Sequence, residues 1–548
     1  MRERNEFILA DLISIRAEQK PDLDVLTFEH YSLDGGATAD EIRTYADLQR
    51  NANRLAAGLQ ARGMQKGDRF AIMMRNHPEF VEGMIAASIT GCVFVPIDPR
   101  TRGDKLAFML KNSGCRGVLC TDYCAQQVVE VRDQTPKLEW LLVLETGEAG
   151  ARPMASLGDI QSLNKVLASH ADPVEPAPVE LTDPLQIIYT SGTTGDPKGI
   201  VGDIMRFGGT GLMGGFYGYT QDERPYTGLS LTHNNAQATA LCPALMMGYR
   251  AVFSRRFTKS SLWAVIRKYS CTTFSLVGGM ATAIYSEPEH SDDAHNPVRM
   301  VVSGGMPAAI WAPFEKRFGV QLFEFYGASD GGGMAYKPVG EGPVGSCGKP
   351  MAGIEMKILD ANGNECAPGV VGEICCRPAD GSAARVEYFG NPQASAEKIQ
   401  GGWNRSGDMG HMDEAGWLFF DYRAGGGIRH NGDFINPSYV EKALAEQDQI
   451  DDVFAYGVPA ASGAPGEKDL VCAIVATDRA SFDPAAVFRA CRNKLEPNFV
   501  PSYLQLVDEI PKTASEKPLE RFLSDSFTPD GEGIYTERVL ANQLGQTL

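Results

Sequence analysis

The sequence has no apolar run that approaches the roughly 20 residues needed to cross a bilayer. Its first segment, residues 1–22, has apolar positions interrupted by Asp11, Arg16 and Glu18, and no small-residue cleavage site follows. This pattern favours an amphipathic helix over a signal peptide. We therefore expect a cytoplasmic protein that has no membrane partner.

Positive charge is also scarce, with 51 Lys and Arg against 69 Asp and Glu and a formal net charge of −18. A chain this acidic is a poor ligand for a phosphate backbone. We therefore expect no nucleic-acid partner. A small anionic ligand can still bind in a local basic pocket.

The twelve cysteines lack the spacing of a metal site. Cys375 and Cys376 are adjacent, and Cys120 and Cys124 have no histidine close by in sequence. Neither pattern fits a zinc site. Buried, reduced thiols are the better interpretation.

Length and composition indicate a soluble globular protein with more than one domain. The chain has 548 residues, 43% hydrophobic and 22% charged, and a single core does not normally grow to this size. Thr44 to Asp47 reads TYAD, which predicts a capping box at the start of a helix. Tyr45, Leu48 and Leu55 then share one helical face.

Strand-like and helix-like segments alternate along most of the chain. Buried strands are predicted at 70–74, 93–98, 117–120 and 185–190, which favours a largely parallel sheet covered by helices. Three glycines at 425–427 follow another strand-like run and suggest a hinge. We predict an α/β fold in which a large N-terminal domain of parallel and mixed sheets (1–422) is joined by that hinge to a small α+β domain (423–548).

The stretch from Tyr189 to Gly199, YTSGTTGDPKG, is polar and flexible although apolar residues flank it on both sides. It follows a predicted strand, where backbone N–H groups can converge on phosphate oxygens. The Walker A spacing is not met, because Pro197 stands where that motif needs glycine. Its hydroxyls and Lys198 still suit an anion.

All eleven positions of this stretch resemble the phosphate-binding loop of the adenylate-forming superfamily, which includes acyl-CoA synthetases, the adenylation domains of nonribosomal peptide synthetases and firefly luciferase. Further segments resemble that superfamily in its order: SGGMP (303–307), FYGASD (325–330), EYFGNP (387–392), GWNRSGDMG (402–410) and PKTASEKPLERF (511–522). The segment EYFGNPQASAEKI also resembles the crotonobetaine/carnitine-CoA ligase branch.

The resemblance implies a reaction in two halves. A carboxylate attacks the α-phosphorus of ATP to give an acyl-AMP and pyrophosphate, and a thiol, usually that of coenzyme A, then displaces AMP. It implies ATP, Mg²⁺ and coenzyme A as cofactors. It also implies rotation of the small domain between the two halves.

The resemblance also implies roles for individual residues. The residues that would contact the β- and γ-phosphates are Thr190, Ser191, Gly192, Thr193, Thr194, Gly195 and Lys198. The adenine pocket falls to Gly304, Gly305, Met306, Tyr326, Gly327 and Ala328, with Tyr326 beside adenine. Ser329 would bond the α-phosphate, Asp408 the ribose hydroxyls, and Arg423 ribose or phosphate oxygens.

The expected catalytic residues are Lys517, Thr190, Ser329, Asp330 and His233. Lys517 would bridge the acid and the α-phosphate, and His233 would gate the acyl pocket. Gly432 would line the thiol tunnel, and Gly425 would be the hinge.

Three positions depart from the superfamily pattern. Asp330 replaces the usual glutamate ligand of Mg²⁺ and is one methylene shorter, so it would bind the metal either directly or through water. Gly425 stands where Asp or Lys is common. Glu516 replaces the glycine that usually precedes the catalytic lysine, which puts a carboxylate beside that cation and removes a permissive backbone residue.

We predict an acid–thiol ligase that acts on a small-molecule carboxylic acid. The alternatives are a stand-alone adenylation enzyme that loads a carrier protein and a non-catalytic adenylate-binding protein. The sequence does not identify the acid, and aromatic, alicyclic, branched and betaine-like acids are all candidates. A homodimer is expected from the family.

Overall fold

A computed structural model describes the chain over most of its length. The described residues are 3–189, 197–328, 330–331, 333–423, 428–430, 433–435, 437–461, 468–495, 497–513 and 516–537. Residue contacts divide the chain into two compact units. Unit 1 consists of Met1–Thr258, Ala264–Ser275 and Val386–Glu397, and unit 2 of Lys259–Trp263, Leu276–Arg385 and Lys398–Leu548.

The helices alternate with strands along most of the chain. They are α1 (Leu9–Gln19), α2 (Tyr31–Asp34), α3 (Tyr45–Ala61), α4 (Pro78–Thr90), α5 (Gly103–Ser113), α6 (Ala125–Glu130), α7 (Leu163–Ala168), α8 (Ile204–Gly211), α9 (Met213–Phe216), α10 (Asn234–Ala236), α11 (Cys242–Met247), α12 (Leu262–Tyr269), α13 (Gly278–Tyr285), α14 (Trp311–Phe318), α15 (Pro392–Lys398), α16 (Pro437–Ala445), α17 (Pro484–Lys494) and α18 (Glu520–Asp525).

The strands are mostly short. They are β1 (Asp24–Phe28), β2 (Glu41–Thr44), β3 (Arg69–Met73), β4 (Val93–Pro96), β5 (Gly117–Thr121), β6 (Trp140–Leu144), β7 (Gln161–Ser162), β8 (Pro184–Tyr189), β9 (Gly199–Asp203), β10 (Pro225–Thr227), β11 (Ala251–Phe253), β12 (Thr273–Val277), β13 (Met300–Gly304), β14 (Gln321–Gly327), β15 (Met334–Lys337), β16 (Lys349–Pro350), β17 (Ile354–Leu359), β18 (Gly372–Pro378), β19 (Ile399–Gln400), β20 (Trp403–Met412), β21 (Leu418–Arg423), β22 (Ile428–His430), β23 (Asp433–Ile435), β24 (Ile450–Pro459), β25 (Lys468–Ala476), β26 (Tyr503–Leu506) and β27 (Ile534–Tyr535).

Unit 1 contains the parallel sheet that the sequence predicts. Its strand order is β7-β6-β5-β3-β4-β8-β9, and only the last pair, β8 with β9, is antiparallel. Every residue of β5 and β6 is buried, as expected of strands covered on both faces. In the same unit β1 pairs in parallel with β11 and antiparallel with β2.

Local signals in the first third of the chain are confirmed. Thr44 caps α3 by accepting from the backbone N–H of Asp47, and the Asp47 carboxylate accepts from the backbone N–H of Thr44. Tyr45, Leu48 and Leu55 are buried on one face of that helix. The predicted strands at 70–74, 93–98, 117–120 and 185–190 correspond to β3, β4, β5 and β8.

Unit 2 contains strands of several sheets. In one, β13 and β14 are parallel and β15 pairs antiparallel with β14. In a second, antiparallel sheet, β20 lies between β18 and β21 and also pairs with β19. The C-terminal part holds a sheet ordered β24-β25-β26-β27 with its own core, which Phe488 and Leu504 help to form. These sheets bring the carboxyl end of β14 and the middle of β20 into one unit.

The cysteines agree with the interpretation as reduced thiols. None of the twelve, all of which lie in the described residues, forms a disulfide, and all but the half-buried Cys366 are buried. Within the described part of the chain, no three His, Cys, Asp or Glu side chains form a group that could hold a metal. Nor does any described helix have the length and apolarity needed to cross a bilayer.

Candidate nucleotide site

The polar stretch joins two paired strands of unit 1. Tyr189 at the end of β8 pairs with Gly199 at the start of β9, and residues 190–198 lie between them in the sequence. Because β8 runs parallel to β4, this loop starts at the carboxyl end of a parallel strand, where ligands of open α/β sheets commonly bind.

Several predicted site residues lie outside the described residues: Thr190, Ser191, Gly192, Thr193, Thr194, Gly195, Ser329, Gly425 and Gly432. Their roles stay predictions.

Lys198 is the described member of the phosphate-loop set. Its side chain is exposed, and its ammonium lies 5.1 Å from the centre of the buried Tyr388 ring. Tyr388 also forms a β-bridge with Ile200 of β9. The segment EYFGNP therefore packs against the strand that follows Lys198, and the face of an aromatic ring favours a cation at this position.

The predicted adenine turn in unit 2 is held by a buried carboxylate. Glu324 of β14 accepts hydrogen bonds from the backbone N–H of Gly305 (2.5 Å) and of Met306 (3.3 Å to Oε1 and 3.2 Å to Oε2). Burial raises the pKa of Glu324 to about 7, although these N–H groups and Lys337 act to lower it. Gly304 ends β13 next to this turn. Glu324 thus fixes the backbone at Gly305 and Met306.

The raised pKa of Glu324 makes the stability of the turn depend on pH. The folded chain keeps the Glu324 proton up to about pH 7, whereas the unfolded chain releases it near 4.5. The stabilisation is therefore complete below the lower value and is lost as pH rises through the higher one. Relative to Glu324→Gln, we expect the wild-type free energy of unfolding to fall over this range by on the order of 2 kcal/mol.

Urea titrations at several pH values measure this difference. Glu365→Gln is the control, because Glu365 is exposed and pairs with Lys357 away from the turn. A gap between wild type and Glu324→Gln that stays the same at every pH would contradict the prediction.

Tyr326, Asp408 and Arg423 form one hydrogen-bonded group in unit 2. The Tyr326 hydroxyl donates to Oδ2 of Asp408 (2.8 Å), and Arg423 Nη1 lies 3.1 Å from Oδ1. Asp408 and Arg423 are cross-strand partners on β20 and β21, which places their side chains side by side. Asp408 is 6% exposed and the Arg423 side chain 54% exposed. The group is a buried carboxylate with its cation at the surface.

Lys517 belongs to the same neighbourhood. Burial lowers the pKa of its ammonium, the positive charge of Arg423 lowers it further, and Asp408 opposes both effects. The side chain nevertheless remains accessible to solvent. An ammonium that is crowded by a second cation and partly desolvated gains strongly from binding an anion.

The loop of Lys517 packs against a glycine pair at the start of α13. A Cβ on Gly279 would lie 3.2 Å from the Glu516 carbonyl oxygen, and one on Gly278 would lie 2.5 Å from the Gly305 oxygen. The loop is closed by hydrogen bonds from Thr513 N–H to the Lys517 oxygen (2.7 Å) and from Glu516 N–H to the Thr513 oxygen (3.0 Å). Gly278 and Gly279 therefore connect the adenine turn to the lysine loop.

Glu516 has a backbone conformation that glycine adopts more readily than other residues. Its φ is +57°, in the left-handed region that costs an ordinary residue about 1–2 kcal/mol. This position therefore carries a side chain on a backbone that would suit glycine better.

Replacing Glu516 with glycine is therefore expected to raise the free energy of unfolding by up to about 1 kcal/mol, because relief of the left-handed strain exceeds the added freedom of the unfolded chain. Glu516→Gln removes only the charge and should change stability by less than about 0.5 kcal/mol. Denaturant titrations of both variants decide the matter. Equal effects of the two substitutions would place the cause in the charge and not in the backbone.

Asp330, the predicted metal ligand, lies in the turn after β14 and is bonded within unit 2. Its Oδ2 is 2.9 Å from Nζ of Lys398, and its backbone oxygen accepts from Asn404 Nδ2 (3.4 Å). Gly327 ends β14 at an exposed position, and Ala328 follows it half-buried. The carboxylate that would face a metal is thus already paired with an internal cation.

His233 belongs to unit 1. It is half-buried and precedes the short helix α10, and its backbone N–H donates to the Ser230 oxygen (3.0 Å). The expected gating role stays a prediction.

Comparison with known proteins decides the family. The family model "AMP-binding enzyme" matches residues 13–382, and "AMP-binding enzyme C-terminal domain" matches residues 439–517. The chain belongs to the AMP-binding enzyme family. The predicted relationship to adenylate-forming enzymes is confirmed.

Relatives of this AMP-binding enzyme include CoA ligases. It is 26% identical over 489 residues to the crotonobetaine/carnitine–CoA ligase of Salmonella paratyphi A, an alignment that covers 88% of this chain and 92% of the relative. This relative agrees with the predicted branch.

Solved structures show the same fold. An anthranilate CoA ligase in complex with anthranoyl-AMP superposes with a TM-score of 0.79 at 20% identity, over 94% of this chain and 96% of the other. The o-succinylbenzoate CoA synthetase of Bacillus subtilis, in complex with ATP and a magnesium ion, gives 0.72 at 23% identity, over 93% and 98%. The predicted fold class, a large α/β domain with a small C-terminal domain, is confirmed.

Sequence reasoning on this AMP-binding enzyme missed three residues at the site. Glu324 carried a usable signal, because it is the one acidic residue in the strand QLFEFYG, where apolar residues flank it on both sides. Tyr388 lies within the quoted segment EYFGNP but was not singled out. Lys398 gave no local signal, since its partner Asp330 is distant in sequence and only the fold brings the two together.

Proposed function

We propose that this chain is an ATP-dependent carboxylate–CoA ligase that forms an acyl-adenylate and then an acyl-CoA thioester, with release of AMP and pyrophosphate. The observation that carries the proposal is the group of Tyr326, Asp408, Arg423 and Lys517 in one unit. The family is that of AMP-binding enzymes, and curated relatives include CoA ligases, in agreement with the predicted activity.

Asp408 is suited to hold the ribose of the nucleotide. Its carboxylate is buried beside Arg423, and a carboxylate has enough lone pairs to accept from two hydroxyls in addition to its present donors. The Tyr326 hydroxyl orients it by donating to Oδ2. The tyrosine ring then forms a wall beside the base, next to the turn of Gly305 and Met306 that Glu324 fixes.

Lys517 is suited to bring two anions together. The acid and the α-phosphate repel one another, and a single ammonium placed between them offsets that repulsion in the transition state. Desolvation and Arg423 both lower the Lys517 pKa, so binding of two anions there relieves an existing electrostatic cost. Arg423 adds a second positive charge on the same side.

The polar stretch 190–198 would hold the departing pyrophosphate. Lys198 supplies its positive charge, and the hydroxyls of Thr190, Ser191, Thr193 and Thr194 supply donors. The support is the position of the loop at the carboxyl end of β8 and the exposed ammonium of Lys198.

Asp330 fits Mg²⁺ in the chemistry of its donor. Proteins usually bind this ion through one or two carboxylates, with phosphate oxygens and water as the remaining ligands, so a single aspartate is sufficient. Bound there, the ion would neutralise charge on the phosphate oxygens. Lys398 already offsets the Asp330 charge.

Several finer predictions belong to this proposal. They are the domain boundary between residues 422 and 423, rotation about the hinge at Gly425 that exchanges Lys517 for the thiol tunnel at Gly432, the acyl gate at His233, a homodimer and a cytoplasmic location. The acid is a small carboxylic acid, and the betaine-like and aromatic classes are the first to test.

Acid-dependent AMP formation tests the function directly. The purified chain is incubated with ATP, Mg²⁺ and coenzyme A against a panel of aromatic, alicyclic, branched, fatty and betaine-like acids. We expect AMP and thioester to form together for at least one class. Nucleotide binding without AMP formation would indicate the non-catalytic alternative, and acyl transfer only to a carrier protein would indicate the adenylation enzyme.

A further inference from the structure

Lys398 connects the predicted metal ligand to the strand of the ribose carboxylate. Its Nζ lies 2.9 Å from Asp330 Oδ2 and donates to the backbone oxygen of Ser406 at 3.1 Å. Ser406 in turn accepts from the backbone N–H of Asp408 through its hydroxyl. One ammonium thus reaches both the turn after β14 and the middle of β20.

The pair is shielded from water. The side chains of Lys398 and Asp330 are only 14% and 11% exposed. Both charges also act on the buried Cys376 thiol: burial and Asp330 raise its pKa and Lys398 lowers it, with a net rise to about 12. Charges in such surroundings interact more strongly than at an open surface. A divalent cation that approaches Asp330 therefore meets a fixed positive charge at contact distance.

The geometry points to Lys398 as a positioning residue that competes with Mg²⁺ for the Asp330 carboxylate and so sets the metal concentration at which the nucleotide complex forms. This inference rests on the proposed function, because it takes Asp330 as the ligand of the nucleotide's metal. In the absence of metal, Lys398 holds Asp330 in place. When metal binds, Lys398 gives up that contact and keeps its bond to Ser406.

Removal of the charge should tighten metal binding. Lys398→Met keeps most of the side-chain length, and we expect the Mn²⁺ concentration for half-saturation to fall by about tenfold, because one competing unit charge is lost. Mn²⁺ is titrated by electron paramagnetic resonance against the full chain saturated with α,β-methylene-ATP, which resists cleavage at the reacting bond. Lys398→Arg restores the charge and should behave like wild type.

Two further variants make the test specific. Lys357→Met removes a lysine that pairs with Glu365 at 2.6 Å away from Asp330, and it should leave Mn²⁺ binding unchanged. In an Asp330→Asn background, Lys398→Met should bring no gain, because the carboxylate that both cations share is absent.

Tighter binding is a result that a misfolded variant cannot produce. Unchanged or weaker Mn²⁺ binding by folded Lys398→Met would overturn the inference, as would an equal gain in the Asp330→Asn background. If Lys398→Met does not fold, Lys398→Gln carries the same expectation. Failure of the unaltered chain to bind α,β-methylene-ATP would overturn the proposed function itself, whereas normal nucleotide binding with no effect of Lys398 would overturn only this inference.

Discussion

Lys517→Ala is expected to lower acid-dependent ATP–pyrophosphate exchange by on the order of 100-fold or more, the usual cost of removing one donor from a developing charge. Thioester formation from added acyl-AMP should survive. The reason is that the ammonium acts between two anions that are both present only while the adenylate forms. Exchange of radiolabelled pyrophosphate and thiolysis of synthetic acyl-AMP measure the two halves separately.

The matched control for this variant is Lys512→Ala. Lys512 precedes the same loop but pairs with Asp452 at 2.6 Å, so its loss should leave exchange close to the wild-type rate. Equal loss of exchange and thiolysis in Lys517→Ala would contradict the assigned role.

The lowered pKa of Lys517 adds a pH signature. The protonated ammonium is the active form, so exchange should fall as pH rises through the Lys517 pKa, and that fall should begin at lower pH than for an ordinary lysine. Arg423→Gln removes the neighbouring cation that lowers the pKa and should move the fall to higher pH. If the pH profile of exchange is the same in Arg423→Gln as in the wild type, titration of Lys517 does not cause the fall in rate at high pH.

Asp408→Ala is expected to weaken binding of ATP and AMP by about 100-fold, since two hydrogen bonds from ribose hydroxyls to a charged acceptor are lost at about 1.5 kcal/mol each. The variant also leaves the buried Tyr326 hydroxyl without its acceptor, which lowers stability. Asp408→Asn keeps the shape of the side chain, and its affinity for ATP and AMP should lie between those of the wild type and Asp408→Ala. Calorimetric titration with AMP measures the affinity without any turnover.

Asp421→Ala is the control for Asp408. Asp421 lies on β21, where its carboxylate accepts from His411 at 2.8 Å, outside the group of Tyr326 and Arg423. Its loss should leave AMP affinity unchanged. If Asp421→Ala and Asp408→Ala weaken AMP binding equally, the effect belongs to the sheet and not to a ribose contact.

The sequence predicts what depends on neighbours along the chain. The capping box at Thr44 and the buried strands β3 to β5 follow from local patterns, because a cap needs only a residue three positions away and a buried strand needs only an apolar run. Motif order likewise located Asp408, Arg423 and Lys517, which lie together in unit 2.

Contacts between distant segments could not be predicted in the same way. Nothing near Lys398 in the sequence indicates that its partner is Asp330, 68 positions earlier. Only the fold brings the two side chains together. The left-handed conformation of Glu516 runs against the preference of its residue type. The hydrogen bonds of Glu324 to Gly305 and Met306 depend on the register of β13 against β14.

The glycine pair Gly278 and Gly279 limits where the enzyme can be engineered. Pocket libraries often introduce small residues such as alanine to reshape selectivity, but at Gly278 even a methyl group would meet the Gly305 oxygen at 2.5 Å. The displacement would reach the turn of Gly305 and Met306 directly, and a Cβ at Gly279 would lie 3.2 Å from the Glu516 oxygen in the loop of Lys517. Substitutions intended to change selectivity are better made at positions that contact neither the Gly305 turn nor the Lys517 loop.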